Sequence, residues 1–220
     1  MSDPRAGSDP LEVRELTVHD LEALAEMHRR AFPDSVLSVL GTEVLSRYYR
    51  WQIAGPHDVD AIGVWSGDVL VGAAIGGRFN GSMIGFVKGQ PVFLSFRLLR
   101  HPGVLFGPRG RAAAATGVRL VTRPGLRTEP EQPERVPDGS FGLLVVAVDP
   151  GARREGIGRL LLEAAEDCAR RRGLARLHLT LDPTNWGAAA FYRSQGWERL
   201  GLDGDTDRSW LIGKELDPGG

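Results

Sequence analysis

The chain has 220 residues, a length typical of one globular domain, and 42% of them are hydrophobic and 25% charged. Glycine and proline make up about a fifth of the sequence, which excludes collagen-like, fibrous and fully disordered proteins. The single cysteine, Cys168, excludes an internal disulfide and a zinc site built from cysteines. The net charge of −1 gives no overall signal for nucleic-acid binding.

The sequence shows neither a membrane-spanning segment nor a secretory signal, and this bears on the cellular compartment of the protein. No apolar run approaches the roughly 18 residues that a membrane-spanning helix needs. Residues 1–10 contain three charged side chains and no apolar stretch, so they are predicted to be a disordered tail and not a secretory signal. Together with the single cysteine, this predicts a cytoplasmic protein. Residues 11–220 are predicted to form one domain.

Charge is distributed unevenly along the chain. Residues 69–128 contain nine Lys or Arg and no Asp or Glu, although the whole chain has 28 acidic residues. The sequence therefore predicts a basic insertion, at about residues 79–139, within an otherwise acidic body. Such an asymmetry suggests an anionic partner.

Hydrophobic spacing predicts the elements before the insertion. Alternation indicates strands, and spacings of three and four residues indicate helices that end at Pro33 and at Gly55–Pro56. In chain order, these elements are a strand at 11–16, a helix that opens at 17–20, a second helix at 35–53, and a hairpin of strands 61–65 and 69–75.

The insertion itself gives a weaker pattern. Six prolines between residues 102 and 137 divide it, and only residues 90–99 and 111–121 have a helical character. After it, the continuous apolar run Leu143–Val148 predicts a buried central strand. The elements that follow are a helix at 156–172, a strand at 177–181, a short helix at 185–194, and strands at 197–200 and 209–214. This order predicts a mixed α/β sheet.

The junction between the central strand and the next helix predicts an anion site. Gly156 and Gly158 lie at the start of the helix, where unpaired N–H groups and the helix dipole favour negative charge. Three arginines surround the turn: Arg153, Arg154 and Arg159. The pattern fits neither the dinucleotide fingerprint nor a P-loop. The alternative is that the glycines only close a tight turn.

Two motifs resemble those of one enzyme family. Arg153-x-x-Gly156-x-Gly158 resembles the acyl-CoA signature Q/R-x-x-G-x-G/A of the GCN5-related N-acetyltransferase (GNAT) superfamily. Residues 185–197 resemble its second motif, N-x-x-A-x-x-F-Y-x-x-x-G-F. The resemblance is close over residues 141–215, looser over 11–78 and absent from the insertion. It implies a mostly antiparallel, twisted central sheet flanked by helices.

The resemblance also implies roles for particular residues. The strand Val146-Ala147-Val148 would part from its neighbour and pair with the pantetheine arm of acetyl-CoA, and the N–H of Val148 would meet the oxyanion. Asn185 would touch the same arm, and Tyr192 would stand beside the thioester sulfur as the catalytic residue. Its alternative role is that of a core aromatic. The remaining donor-binding residues are Arg153, Arg154, Glu155, Gly156, Ile157, Gly158 and Arg159.

The general base is not determined by the motifs. Family members that acetylate protein N-termini can carry a glutamate five residues before the motif asparagine, where this chain has Thr180. His178 on the following strand and Asp34 between the first two helices are the candidate bases. A chain of water molecules, or an amine that is already neutral, is the default interpretation.

The predicted activity is transfer of an acetyl group from acetyl-CoA to the primary amine of a small molecule, by direct attack and without a metal. Anionic acceptors, such as an amino sugar phosphate or a nucleotide-linked amine, would suit the insertion arginines Arg97, Arg100, Arg109 and Arg111. The alternative is that the insertion is a lid whose arginines are only solvated. Acetylation of a protein N-terminus or lysine and a non-catalytic acyl-CoA sensor are the alternatives.

Other partners are less favoured by the sequence. An interfacial membrane patch in the insertion is disfavoured because prolines and glycines interrupt any long helix there. No nucleic-acid partner is expected, since no known binding module is present. The sequence is compatible with either a monomer or a homodimer as the oligomeric state.

Overall fold

A computed structural model of the chain describes residues 10–79, 82–101, 139–201 and 209–217. Seven strands form one sheet in the order β1-β2-β3-β4-β5-β7-β6. They are β1 (Leu11–Glu15), β2 (Asp58–Ser66), β3 (Val69–Arg78), β4 (Ser140–Val148), β5 (Arg176–Leu181), β6 (Glu198–Arg199) and β7 (Trp210–Glu215). Within the described ranges, β4 and β5 are the one parallel pair. The predicted mixed, mostly antiparallel sheet is confirmed.

Helices cover both faces of this sheet. They are α1 (Leu21–Ala31), α2 (Val36–Leu40), α3 (Thr42–Ala54), α4 (Ser82–Gly89), α5 (Pro91–Arg100), α6 (Ile157–Arg171) and α7 (Trp186–Ser194). One core lies between the sheet and the helices α1 to α5, and the other lies between the sheet, α6 and α7. The predicted hairpin of the second and third strands is confirmed, with its turn at residues 67–68.

The predicted single helix at 35–53 is wrong. Gly41 has φ +104° and separates α2 from α3, a conformation that an L side chain rarely adopts. Ser35 begins α2 by accepting a hydrogen bond from the N–H of Ser38 at 3.1 Å. The break turns one long helix into two shorter ones that pack against each other.

The first part of the insertion belongs to the core. Its helix α5 matches the predicted helical stretch 90–99, whereas α4 was not predicted. Phe86 on α4 and Leu94 on α5 are buried in the same core as α1 and α3. The second predicted stretch, 111–121, lies outside the described residues.

Helix α6 packs across β2, β3 and β4. Its approach is close because Gly72 lies beneath it, where a Cβ atom would come within 2.6 Å of Ile157 Cγ2. Cys168 on the same helix is 3% exposed, which agrees with its predicted place in the core. Burial raises the pKa of its thiol.

Across the described residues, no helix is both long enough and apolar enough to cross a membrane.

Candidate active site

The two parallel strands pair only at their beginning. Ser140, Phe141 and Gly142 of β4 are in register with Arg176, Leu177 and His178 of β5, and the pairing ends there. β4 continues to Val148 with β3 on its other side. The strands therefore part after Gly142, in line with what the family resemblance implied, and within the described residues one edge of β4 is open from residue 143 to residue 148.

Backbone alternation shows which groups face the open edge. The N–H of Asp149 donates to Val71 O on β3 at 2.9 Å. Because successive residues of a strand point their N–H groups to opposite edges, Val146 and Val148 direct theirs into the gap beside β4. Ala147 directs its backbone groups toward β3. Of the three strand residues predicted to pair with a ligand, two thus have free backbone groups at this edge.

The turn after β4 leads directly into the start of α6. Gly156 precedes the helix with φ +82°, and Arg154 is the one non-glycine residue with positive φ among those described, at +71°. The N–H groups of Arg159 and Leu160 donate to Gly156 O at 3.0 and 3.1 Å. Within the described part of the chain, the N–H groups of residues 154–158 have no acceptor.

These donors belong to an exposed turn that carries two arginines and one glutamate, Glu155. Residues 153–156 are all exposed, and the guanidinium groups of Arg153 and Arg154 belong to the same turn. Arg159 extends along the helix, where its Nε lies 3.4 Å from Glu163 Oε1. Unpaired N–H groups at the positive end of a helix dipole are suited to bind phosphate oxygens.

An ion pair that sequence reasoning missed fixes the end of β4. Arg30 at the end of α1 donates from Nε to Asp149 Oδ2 at 2.5 Å. Burial alone would raise the pKa of the Asp149 carboxyl, but hydrogen bonds from Arg30 and the Gly151 N–H and the charges of Arg30 and Arg153 hold it below its usual value. The pair ties α1 to the turn after β4 across 119 residues of sequence.

The second glycine of the motif has a packing role. A Cβ atom at Gly158 would lie 3.0 Å from Cζ of Phe191 on α7. This close contact between α6 and α7 sets the position of Phe191 and of the neighbouring Tyr192. The two sequence motifs therefore meet in space.

Asn185 caps α7. Its Oδ1 accepts a hydrogen bond from the N–H of Ala188 at 3.1 Å, while the side chain stays exposed. Among the described residues, nothing accepts a hydrogen bond from its amide Nδ2 group, which can therefore donate to a ligand. Both the structural role and the predicted contact with a ligand can thus belong to one side chain.

The two roles of Asn185 can be separated by substitution. We expect Asn185→Ala to lower the free energy of unfolding by about 1 kcal/mol, because the cap is lost. Asn185→Asp keeps an acceptor oxygen for the Ala188 N–H but has no donor, so it should keep wild-type stability and bind acetyl-CoA more weakly. Thermal denaturation with and without acetyl-CoA measures both effects. Unchanged acetyl-CoA affinity in Asn185→Asp would leave Asn185 with the capping role alone.

Tyr192 is buried on α7, with 8% of its surface exposed. Its ring lies 5.3 Å from those of Phe191 and Trp197, measured between centroids. Among the described residues, no group accepts a hydrogen bond from its hydroxyl. Burial raises the pKa of Tyr192 above its usual value, so the phenol is a neutral hydrogen-bond donor throughout the physiological range.

The candidate bases have different environments. Asp34 is exposed, and so is Thr180, which stands where some family members carry the glutamate. His178 is half-buried, and its Nδ1 lies 2.6 Å from Ser140 Oγ. Burial lowers the pKa of His178 to about 4, so its imidazole is neutral at pH 7.

The structure describes two of the four insertion arginines that were predicted to meet an acceptor. Arg97 forms an ion pair with Glu43 of α3, and its guanidinium lies 5.4 Å from the ring centroid of Phe93. Arg100 lies over the ring of Phe96 at 4.2 Å. Arg97 therefore links α5 to α3. Arg109 and Arg111 lie outside the described residues.

No cluster of three His, Cys, Asp or Glu side chains that could hold a metal ion occurs in the parts of the chain that the structure describes. The prediction of metal-free chemistry stays a prediction.

A sheet whose two parallel strands part beside a helix start with free N–H groups is the architecture of acyl-CoA N-acyltransferases. The family model described as the acetyltransferase (GNAT) family matches residues 21–197. The chain belongs to this family, and it is an acetyl-CoA-dependent N-acetyltransferase. No curated protein matches the sequence significantly.

Solved structures share the fold at low sequence identity. The PaiA N-acetyltransferase of Thermoplasma acidophilum, in complex with coenzyme A, is 15% identical, with a TM-score of 0.56 over 94% of this chain and 99% of that one. The ribosomal-protein-S18-alanine N-acetyltransferase of Escherichia coli is 16% identical, with a TM-score of 0.55 over 96% and 97%. The ribosomal-protein-alanine N-acetyltransferase of Brucella melitensis is 20% identical, with a TM-score of 0.54 over 93% and 99%.

Proposed function

We propose that this protein transfers the acetyl group of acetyl-CoA to the primary amine of a small molecule, by direct attack within a ternary complex. The proposal rests on one observation: the open edge of β4 leads directly into the exposed turn at the start of α6. The open edge of β4 runs from the parting point at Gly142 to the exposed turn with its free N–H groups. One extended ligand with a phosphate group at one end would occupy both.

Donor binding follows from the backbone. The N–H groups of residues 154–158 would receive the pyrophosphate of acetyl-CoA, with Arg153 and Arg154 supplying charge. The open-edge groups of Val146 and Val148 would pair with the pantetheine amides as a neighbouring strand does. Six residues of β4, from 143 to 148, span about 20 Å, enough for an extended arm. Asn185 would donate to the same arm.

Transfer requires that the amine, the thioester and a donor for the leaving group be aligned. The amine nitrogen attacks the thioester carbon, and the oxyanion that forms is met by an N–H group at the open edge of β4. The C–S bond then breaks, and its electron pair goes to sulfur. Tyr192 stabilises the thiolate by a hydrogen bond. Full proton transfer from Tyr192 is unfavourable, because its raised pKa lies further above that of a thiol.

A small acceptor suits the other face of the sheet. Helices α1 to α5 cover this face, and α4 and α5 add a layer from the insertion. The excess of basic over acidic residues in the insertion disfavours the acidic groove that a basic protein substrate would need. An anionic small amine is the acceptor class that this charge favours.

The ion pair between Arg97 and Glu43 gives a test of the role of the insertion. We expect Arg97→Glu to lower the free energy of unfolding by about 1 kcal/mol, since two carboxylates would then meet between α3 and α5. The double variant Arg97→Glu/Glu43→Arg reverses the ion pair, so it should regain the wild-type stability. Its KM for glucosamine 6-phosphate should then equal that of the wild type. Restored stability with a KM that stays raised would instead make Arg97 a direct contact of the anionic acceptor.

The acceptor class is tested by CoA release with a panel of amines. The panel contains a plain diamine, glucosamine, glucosamine 6-phosphate and a peptide with an N-terminal alanine. We expect turnover of small amines, with the phosphorylated sugar preferred over the plain one. Turnover of the peptide alone would support protein acetylation, and acetyl-CoA binding without turnover of any amine would support a non-catalytic sensor.

A further inference from the structure

The point at which β4 and β5 part carries a histidine that the family motifs do not include. His178 is the last β5 residue in register with β4, opposite Gly142. Its imidazole lies across that glycine, because a Cβ atom at Gly142 would come within 3.1 Å of His178 Cε1 and 3.2 Å of Nε2. The ring therefore lies at the closed end of the gap that the proposed function assigns to the acetyl-CoA arm.

The histidine faces the acceptor side of the sheet. Its strand neighbours Leu177, Leu179 and Leu181 pack into the core with α6 and Tyr192. Because side chains alternate along a strand, His178 projects from the opposite face, which α1 to α5 cover. The groups that would serve the leaving thiolate and the attacking amine thus lie on opposite faces.

The imidazole is held by one defined hydrogen bond. Nδ1 lies 2.6 Å from Ser140 Oγ, while Nε2 has no partner among the described residues. If Nδ1 carries the proton and donates it to Ser140, Nε2 keeps its lone pair beside Gly142, where the gap begins. Burial keeps the imidazole neutral at pH 7, so the lone pair is available there.

We propose that His178 is the general base of the acetyl transfer and that Ser140 is the positioning residue that fixes its tautomer. The inference rests on the proposed function. As the neutral amine forms the C–N bond, its nitrogen becomes cationic and acidic, and Nε2 takes that proton directly or through one water molecule. The C–S bond breaks with its electron pair on sulfur. The imidazolium returns its proton to solvent and the thiolate takes one up, so the products are the amide and free CoA.

The direct test is His178→Gln, assayed by CoA release with the diamine and glucosamine 6-phosphate. We expect kcat to fall by about 100-fold, with the acetyl-CoA dissociation constant unchanged, because general-base catalysis acts on the transition state. In His178→Ala, added imidazole should restore part of the turnover. His19→Gln, at an exposed histidine on the β1–α1 turn, is the matched control and should behave as the wild type.

A second pair of variants keeps the test independent of His178 folding defects. Ser140→Ala should lower kcat without changing the KM for acetyl-CoA, and Ser140→Thr, which keeps the hydroxyl, should restore it. Wild-type kcat in His178→Gln, or a kcat loss confined to Thr180→Ala, would overturn the assignment. If the His178 variants do not fold, equal turnover in Ser140→Ala and the wild type overturns it. Failure of the wild type itself to turn over any amine would count against the proposed function instead.

Discussion

Replacing Gly156 with glutamate should abolish the stabilisation of this protein by acetyl-CoA. In the wild type, acetyl-CoA at about 100 times its dissociation constant should add roughly 2.7 kcal/mol to the free energy of unfolding. The new side chain would project from a residue at φ +82° and place a carboxylate beside the free N–H groups that are proposed to hold the pyrophosphate. A thermal-shift titration with acetyl-CoA measures the loss.

Gly173 provides the matched control for this substitution. It also has a left-handed backbone, at φ +66°, and a Cβ atom there would meet nothing within 4 Å, as at Gly156, but it lies at the other end of α6. Gly173→Glu should therefore cost a similar strain of about 1–2 kcal/mol and keep the response to acetyl-CoA. An acetyl-CoA shift that survives in Gly156→Glu, or that disappears equally in Gly173→Glu, would show that the turn is not the phosphate site.

Tyr192→Phe should lower kcat by about 100- to 1,000-fold, the usual effect of removing one donor to a developing anion. Acetyl-CoA affinity should change little, since the hydroxyl acts on charge that appears only as the thiolate leaves. Stability should also be kept, because no described group accepts a hydrogen bond from this hydroxyl. Steady-state kinetics together with thermal denaturation test all three expectations.

Tyr49→Phe is the control for Tyr192→Phe, because it should lower stability and leave turnover unchanged. The Tyr49 hydroxyl lies 2.5 Å from His28 Nδ1 in the core between α1 and α3, so its loss should cost about 1 kcal/mol of stability. Turnover should be kept, since the proposed mechanism does not involve Tyr49. If Tyr192→Phe instead loses stability and keeps its turnover, Tyr192 is a packing residue.

Sequence patterns predicted the second half of the fold more closely than the first. The central strand, α6 and β5 have strong hydrophobic periodicity, and their boundaries agree with the structure within a few residues. The break at Gly41 was missed because the apolar stripe of Val36, Leu40, Val44 and Tyr48 continues through it. Helix α4 was missed because Gly85 weakens its helical pattern, and that glycine is needed where a Cβ atom would come within 2.6 Å of the Trp51 ring.

The sequence predicted those parts of the candidate site whose residues are neighbours along the chain. The glycines, arginines and helix start that form the turn are adjacent in sequence, and the second motif is equally compact. Contacts between distant segments were not predictable. The pairing of Arg30 with Asp149 and of Ser140 with His178 depends on how α1 packs on the sheet and on the register between β4 and β5, neither of which periodicity determines.

A crystal structure of this chain with coenzyme A bound tests the central claim most directly. The account predicts pyrophosphate oxygens about 2.7–3.2 Å from the backbone nitrogens of residues 154–158. It also predicts that the pantetheine arm pairs with Val146 and Val148 and that its sulfur lies beside Tyr192. Coenzyme A bound away from this turn, or β4 and β5 paired along their full length in the complex, would contradict it.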